Sequence, residues 1–176
     1  MTDLWPCGGM MLAVQIAERL LARGWRLAVA ESATGGLLGH WITRVPGSSA
    51  YFWGGVIAYS NEVKLKLLGV RQESLDQAGA VSHQVALEMA RGACRTTGVE
   101  VALSITGVAG PTGATAYKPL GLYYIGLATP QECWSWRHDF RGEREQNNES
   151  AARAALLHLL EMLGQGRHQN DGHQVG

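Results

Sequence analysis

The chain has few cysteines, no excess of either charge and no long apolar run, and each of these scarcities excludes a class of protein. Its three cysteines are odd in number and widely spaced, which argues against a disulfide framework or a zinc motif. Lysine plus arginine equals aspartate plus glutamate at 15 each, so no charge excess attracts nucleic acid or an anionic membrane. No apolar stretch approaches the roughly 20 residues that span a bilayer, and no signal peptide is visible. We therefore expect a cytoplasmic protein that binds a small, nearly neutral ligand, with no nucleic acid and no membrane as partner.

Helix-like and strand-like segments alternate along the 176 residues, a length that suits one domain with a proper core. Apolar periodicity and boundary residues predict helices near residues 11–21, 37–44, 61–68, 83–97 and 144–163, with a short turn at 74–78. Apolar strands are predicted near 26–30, 51–59, 99–106, 120–129 and 133–140. This order predicts an α/β fold: a three-layer αβα single domain with a mixed, largely parallel sheet and an antiparallel C-terminal hairpin. Residues 1–10 are expected to form a tail, 11–163 the domain and 164–176 a disordered tail.

Three polar or glycine-rich loops, at residues 31–36, 59–61 and 107–119, follow the first three predicted strands. Because the carboxyl ends of parallel strands meet at one edge of a sheet, these loops predict a single ligand site. The first loop opens a helix, whose free N–H groups and dipole favour an anion or an oxyanion. Its candidate substrate contacts are Glu31, Ser32, Thr34, Gly35 and Gly36. The same spacing is equally compatible with a helix cap and a tight turn.

The loop after the third strand is unusually long and rich in glycines and hydroxyls, so it is suited to wrap a phosphate or a ribose. Thr106 and Gly107 stand at its start and are candidate substrate contacts. Lys118 and Arg144 are candidate phosphate contacts, Arg144 through its bidentate guanidinium. Either residue is also compatible with an ordinary solvated surface charge.

The segment from Pro46 to Lys64 carries the residue types of a hydrolase that uses no histidine base. It places Ser48 and Ser49 in a tight turn, followed by an apolar strand that ends on Tyr59, with Lys64 one helical turn beyond. A lysine can act as a base only where burial or a neighbouring cation lowers its pKa. The same residues are compatible with a turn cap, a strand aromatic and a solvated lysine, so spacing alone does not decide.

Six motifs follow one another between about residue 11 and residue 163. They are 30–36 (AESATGG), 46–49 (PGSS), 54–64 (GGVIAYSNEVK), 79–82 (GAVS), 106–111 (TGVAGP) and 118–121 (KPLG). Together they resemble the family of the C-terminal domain of the competence/damage-inducible protein CinA. The stand-alone members of that family are nicotinamide-mononucleotide deamidases, called PncC. Each motif alone is weak, whereas the ordered set is specific.

The resemblance implies hydrolysis of the carboxamide of nicotinamide mononucleotide to nicotinic acid mononucleotide and ammonia, a step of pyridine-nucleotide salvage. It also implies a serine–lysine mechanism with no metal and no cofactor. Carried over by position, Ser49 would be the nucleophile, Lys64 its base, and Tyr59 would relay or orient the proton.

The other carried-over roles concern binding. Ser32 and Thr106 would position the amide or stabilise the oxyanion, and Arg144 would hold the nucleotide phosphate. Which of Ser32 and Ser49 attacks is left open by the sequence, because both are expected near the same edge. We favour Ser49 for its turn and its place beside the strand that leads to Lys64.

The chain departs from the family pattern at Ala33, where a cysteine is usual, at Asn148, where an arginine is common, and in the loop 113–117. The last two changes bear on phosphate binding and substrate preference. A second hypothesis therefore stands beside the enzyme: a catalytically silent nucleotide-binding or competence-linked regulatory protein of the same fold. Aromatic strands in a small domain also favour a homodimer or a larger homo-oligomer.

Overall fold

The structure, a computed structural model, describes residues 9–165 of the chain. Its helices are α1 Gly9–Arg23, α2 Leu37–Thr43, α3 Asn61–Leu68, α4 Gln72–Ala78, α5 His83–Thr97 and α6 Arg144–Gln165. Its strands are β1 Leu27–Glu31, β2 Phe52–Ile57, β3 Val101–Gly107, β4 Leu122–Ala128 and β5 Cys133–Asp139. A 3₁₀ turn at Ser48–Ala50 precedes β2.

The five strands form one mixed sheet in the order β2-β1-β3-β4-β5. β1 pairs in parallel with both β2 and β3, whereas β4 is antiparallel to β3 and β5 is antiparallel to β4. The predicted α/β fold, with a parallel part and an antiparallel C-terminal hairpin, is therefore confirmed.

Helices cover both faces of the sheet because the central strands are apolar on both faces. In β1, Leu27 and Val29 pack into the core that α1, α2 and α6 complete, whereas Ala28 and Ala30 pack into the core beneath α5. Successive side chains of a strand point to opposite faces. The result is the predicted three-layer arrangement, with the sheet between two helical layers.

Capping residues fix where the helices beside the site begin and end. The hydroxyls of Ser60 and Ser82 accept hydrogen bonds from backbone N–H groups three residues on, at the starts of α3 and α5. Gly69 and Gly98 end these helices with positive φ angles of 62° and 71°. Because α3 starts so soon after β2, Lys64 is carried back to the carboxyl edge of the sheet.

Helices α1 and α6 each extend two residues past the predicted domain limits of 11 and 163. Gly9 and Met10 belong to α1, and α6 continues through Gly164, which was expected to lie in the tail. Arg19 and Arg23 of α1 donate to carbonyl oxygens in the last turns of α6, and the bond from Arg23 to Leu163 satisfies a carbonyl that the helix end would otherwise leave unpaired. The tail predictions for residues 1–8 and 166–176 lie outside the described residues.

Neither a membrane span nor a metal cluster is found in the described part of the chain. No helix within residues 9–165 is long and apolar enough to cross a bilayer. Over the same range, no group of three or more histidine, cysteine, aspartate or glutamate side chains is placed to hold a metal ion. Cys94 and Cys133 are free thiols.

Candidate active site

A cavity of about 360 Å³ lies at the carboxyl edge of β1, β2 and β3. Open α/β sheets bind their ligands at this position, beyond the carboxyl ends of the strands. The predicted site residues that line the cavity are Ser32, Tyr59, Lys64, Thr106, Gly107 and Arg144. The loops that follow the three strands therefore meet around one cavity.

The side chains of Ser32 and Lys64 are in contact, and both are buried. Nζ of Lys64 lies 3.1 Å from Oγ of Ser32. The same Nζ donates to the carbonyl oxygen of Ala58 at 2.6 Å and contacts that of Tyr59 at 3.4 Å. A neutral amine has two N–H bonds for these carbonyls and one lone pair for the serine hydroxyl. The geometry therefore suits a lysine that takes a proton from a serine.

Burial lowers the pKa of Lys64 from its ordinary value of 10.5 to about 8. The side chain is only 1% exposed, and no carboxylate in the described range forms an ion pair with it. Desolvation disfavours the ammonium form, and no nearby negative charge offsets that effect. About a tenth of Lys64 is then the free amine at pH 7. The desolvation that a lysine base requires is therefore present.

Two peptide N–H groups that follow Ser32 have no acceptor in the described part of the chain. The N–H of Ser32 itself donates to the carbonyl oxygen of Ile105 at 2.9 Å, which ties the first loop to β3. By contrast, nothing among residues 9–165 accepts a hydrogen bond from the N–H groups of Ala33 and Thr34. Ala33 also lines the cavity. Free backbone donors just after a nucleophile can form an oxyanion hole.

The carboxylate of Glu31 caps α2 and does not face the cavity. It accepts hydrogen bonds of 2.8–3.1 Å from the N–H groups of Gly36, Leu38 and Gly39. These bonds satisfy donors at the start of the helix. The structure corrects the predicted substrate contact of Glu31, because its carboxylate is engaged at the start of the helix. Gly35 and Gly36 do not line the cavity.

Thr34 lies in a second pocket, of about 430 Å³, which shares Arg144 with the cavity. The Thr34 hydroxyl is buried and has no hydrogen-bond partner in the described part of the chain. A ligand contact by its side chain would therefore belong to this second pocket, and not to the cavity that holds Ser32.

Thr106 and Gly107 form part of the cavity wall at the end of β3. The hydroxyl of Thr106 donates to the carbonyl oxygen of Ala80 at 2.9 Å, so its proton is already engaged. The predicted part of Thr106 in stabilising an oxyanion needs correction, because its free lone pairs can accept hydrogen bonds but not donate them. A Cβ at Gly107 would collide with the ring of Tyr123, so only glycine fits there.

Arg144 connects Tyr59 to the long loop at the exposed side of the cavity. Its guanidinium donates to the carbonyl oxygen of Gly110 at 2.7 Å and to the hydroxyl of Tyr59 at 3.1 Å. Arginine has further N–H donors, which remain for an anion. The predicted proton relay through Tyr59 is also corrected, since its backbone carbonyl, and not its hydroxyl, contacts Lys64. The Tyr59 side chain instead orients the arginine.

Ser49 lies at the opposite edge of the sheet from Lys64. It belongs to an exposed 3₁₀ turn before β2, whereas the cavity lies beyond the end of that strand. The strand has six residues, so its two ends are about 20 Å apart at roughly 3.3 Å per residue. Within one chain, the prediction that Ser49 is the nucleophile is therefore wrong. Ser32, the alternative that the sequence left open, contacts the lysine.

Lys118 also differs from its predicted role. Its ammonium donates to the carbonyl oxygen of Ala78 at 2.6 Å, and the residue does not line the cavity. The prediction of a phosphate contact is corrected, because this bond directs the side chain to the end of α4. Lys118 fixes the long loop against the segment between α4 and α5.

Two cavity residues, Ala80 and Val81, lie outside the three predicted loops, and sequence reasoning missed them. The other lining residues that were not named individually belong to the predicted loops: Ala33, Asn61, Val108, Ala109, Gly110, Thr112 and Gly113. The motif at 79–82 supported the family resemblance, but it precedes a helix and does not follow a parallel strand. The rule that ligands bind beyond the carboxyl ends of parallel strands therefore gave no reason to place this motif in the site. The signal that would have located it is its membership of the same ordered motif set.

Sequence comparison places the cavity in a known family context. The family model described as the CinA C-terminal domain matches residues 10–163. A CinA-like protein of Syntrophobacter fumaroxidans is 53% identical over 148 residues, which cover 84% of this chain and 35% of that protein. A CinA-like protein of Nostoc punctiforme is 49% identical over 165 residues, which cover 92% of this chain and 39% of that protein. The chain thus spans somewhat more than a third of the length of these curated relatives.

Solved structures agree with the sequence comparison. The competence damage-inducible protein A (ComA) of Klebsiella pneumoniae superposes with a TM-score of 0.87 at 33% identity, covering 90% of this chain and 99% of that one. The competence/damage inducible protein CihA of Agrobacterium tumefaciens gives 0.88 at 34% identity, covering 93% and 100%. The described domain, with its Ser32–Lys64 cavity, belongs to the CinA C-terminal domain family.

Proposed function

We propose that the chain is an amidohydrolase that converts nicotinamide mononucleotide to nicotinic acid mononucleotide and ammonia. The observation that carries the proposal is the buried contact between Oγ of Ser32 and Nζ of Lys64. Amide hydrolysis needs a nucleophile, a base, an acid for the leaving group and donors for the oxyanion. The cavity supplies a group for each need, and its volume falls within the range of roughly 300–1,000 Å³ found for small-ligand sites.

In the first half of the reaction, Ser32 attacks the carboxamide carbon and Lys64 takes the hydroxyl proton. The carbonyl oxygen becomes an oxyanion, which the N–H groups of Ala33 and Thr34 stabilise. Lys64 then returns the proton to the amide nitrogen. The C–N bond breaks, ammonia leaves, and the nicotinate group remains bound to Ser32 as an ester.

In the second half, water attacks the ester carbon and Lys64 takes a proton from that water. The bond to Oγ of Ser32 breaks, and Lys64 returns the proton to the serine. The carboxylic acid gives its remaining proton to the released ammonia, so one water is consumed and the products are a carboxylate and ammonium. A single lysine serves as base and acid in both halves because its pKa of about 8 is close to the working pH.

The phosphate of the substrate is assigned to Arg144. Its two hydrogen bonds to Gly110 and Tyr59 hold the guanidinium at the exposed side of the cavity, where further N–H groups remain free. A planar guanidinium is well matched to phosphate oxygens. The carboxamide at Ser32 and the phosphate at Arg144 would orient the nucleotide at both of its ends.

Arg144→Ala is expected to raise KM for nicotinamide mononucleotide by about 10- to 100-fold, because hydrogen bonds to a charged group contribute roughly 1.5–3 kcal/mol. Nicotinamide riboside lacks the phosphate and is expected to be a poorer substrate. Arg144→Ala should therefore have much less effect on its turnover. Steady-state assays with both substrates measure the difference. An equal loss for the two substrates would contradict the phosphate assignment.

An ammonia-release assay on nicotinamide mononucleotide tests the proposed function itself. The expected result is equal molar release of ammonia and nicotinic acid mononucleotide by the chain. Binding of the nucleotide with no turnover would contradict the enzyme and support the silent nucleotide-binding alternative. Nicotinamide and nicotinamide riboside are matched control substrates, since each retains the carboxamide and lacks part of the nucleotide.

We also propose that copies of the chain associate into a homodimer or a larger homo-oligomer through β2. This strand lies at the edge of the sheet, and Trp53 and Ile57 on it are both more than half exposed. Uncovered apolar edge strands favour pairing with another chain. Light scattering should give a mass of at least twice 19.0 kDa, and Ile57→Lys should lower it. A single-chain mass at assay concentration would contradict this assembly.

A further inference from the structure

The segment between α4 and α5 is held by three side chains from different parts of the chain. The carbonyl oxygens of Ala78, Gly79 and Ala80 each accept one hydrogen bond. The donors are Nζ of Lys118 at 2.6 Å, Oγ of Ser82 at 2.9 Å and Oγ1 of Thr106 at 2.9 Å, in that order. Three consecutive peptide units are therefore fixed by side chains of the long loop, of the α5 cap and of β3.

This segment forms one wall of the cavity. Ala80 and Val81 line the same space as Ser32 and Lys64, and both present small apolar side chains. The long loop contributes another part of the lining through residues 107–110 and 112–113. Lys118 belongs to that loop and bonds to Ala78, so one hydrogen bond ties two walls of the cavity together.

The groups around the Lys118 ammonium favour its hydrogen bond to Ala78. A Cβ at Gly79 would fall on Nζ of Lys118, so the glycine leaves the space that the ammonium occupies. Gly79 also has a φ of 72°, which glycine adopts without strain. No carboxylate in the described range pairs with Lys118, and burial lowers its pKa. The carbonyl of Ala78 is therefore its main partner.

We propose that Lys118 is a positioning residue that sets the spacing of the cavity walls, and that the wall it fixes, Ala80 and Val81, packs against the flat pyridinium ring of the substrate beside the Ser32–Lys64 pair. The proposal rests on the proposed deamidase function for its substrate. In the proposed reaction, Lys118 contacts neither the reacting atoms nor the phosphate. Its loss should therefore weaken binding of the ring more than it slows the chemical step.

Lys118→Met removes the donor and keeps the length of the side chain, and it is expected to raise KM for nicotinamide mononucleotide about tenfold while kcat changes less than about threefold. Lys118→Arg retains a donor and should restore much of the affinity. Lys66 is a matched control, because it is 74% exposed on α3 and its ion pair within residues 9–165 is a 4.0 Å contact with Glu62. Lys66→Met removes the same charge and should leave both constants unchanged.

Hydrogen exchange of the backbone amide of Gly79, which donates to the carbonyl oxygen of Leu75 at 2.9 Å, tests the clamp without any turnover. Exchange should be faster in Lys118→Met than in the wild type and unchanged in Lys66→Met. If the chain proves not to be a deamidase, faster exchange would still establish the clamp. Unchanged exchange in Lys118→Met would overturn it, as would a fall in kcat with no change in KM.

Discussion

Ser32→Ala is expected to lower kcat for ammonia release by on the order of 10⁴- to 10⁶-fold, the range that follows loss of a nucleophile. Ser49→Ala, the same chemical change at the far edge of the sheet, is expected to leave kcat close to the wild-type value. The difference follows from geometry, because Ser32 contacts Lys64 at 3.1 Å and Ser49 lies beyond the opposite end of β2. Steady-state kinetics of the two variants measure it.

One outcome of these assays would contradict the assignment of Ser32 as the nucleophile. A large loss confined to Ser49→Ala would show that the nucleophile does not come from the first loop. It would then have to reach the cavity from another copy of the chain, since no serine at the start of β2 can do so within its own copy. Thermal melts of both variants provide the control, because an unfolded protein would also lose activity.

Lys64→Met is expected to lower kcat/KM by about 10²- to 10⁴-fold, the contribution of a general base. Lys64→Arg should not restore it, because a guanidinium stays protonated and cannot accept the serine proton. In the wild type, kcat/KM should rise with pH through about 8, where the ammonium of Lys64 loses its proton. A profile that is flat between pH 6 and 9, or strong activity of Lys64→Arg, would exclude Lys64 as the base.

The same lysine links folding stability to pH, which gives a measurement independent of turnover. The folded-state pKa of about 8 lies below the ordinary value of 10.5, so the unfolded chain binds more protons between these two values. The free energy of unfolding that Lys64 contributes should therefore rise with pH across that window and fall as pH drops through 8. Denaturant titrations should show this rise in the wild type and a smaller one in Lys64→Met.

Much of the fold was predictable because its signals are local. Helix α5 begins after the cap residue Ser82 and ends at the glycine that follows Thr97. The alternation of strands and helices predicted the parallel part of the sheet. The convergence of the three loops also followed from topology, since strands that run in parallel end at one edge. Sequence order was sufficient for these features.

The assignment of individual side chains was less predictable because it depends on contacts between distant residues. The place of Glu31 in the first loop predicted a ligand contact. In the structure, its carboxylate instead accepts hydrogen bonds from N–H groups at the start of α2. Ser49 is close to Lys64 along the chain and far from it in space, because a strand separates them. Lys118 donates a hydrogen bond to Ala78, which lies 40 residues away in the sequence. Periodicity in the sequence does not predict such a bond.

The central claim is that Ser32, activated by Lys64, attacks the carboxamide. Its most direct test is mass spectrometry of the protein after acid quenching during turnover of nicotinamide mononucleotide, followed by digestion to locate the adduct. A covalent adduct equal in mass to the substrate minus ammonia is expected on the peptide that contains Ser32, and none is expected in Ser32→Ala. An adduct on the peptide that contains Ser49 would contradict it.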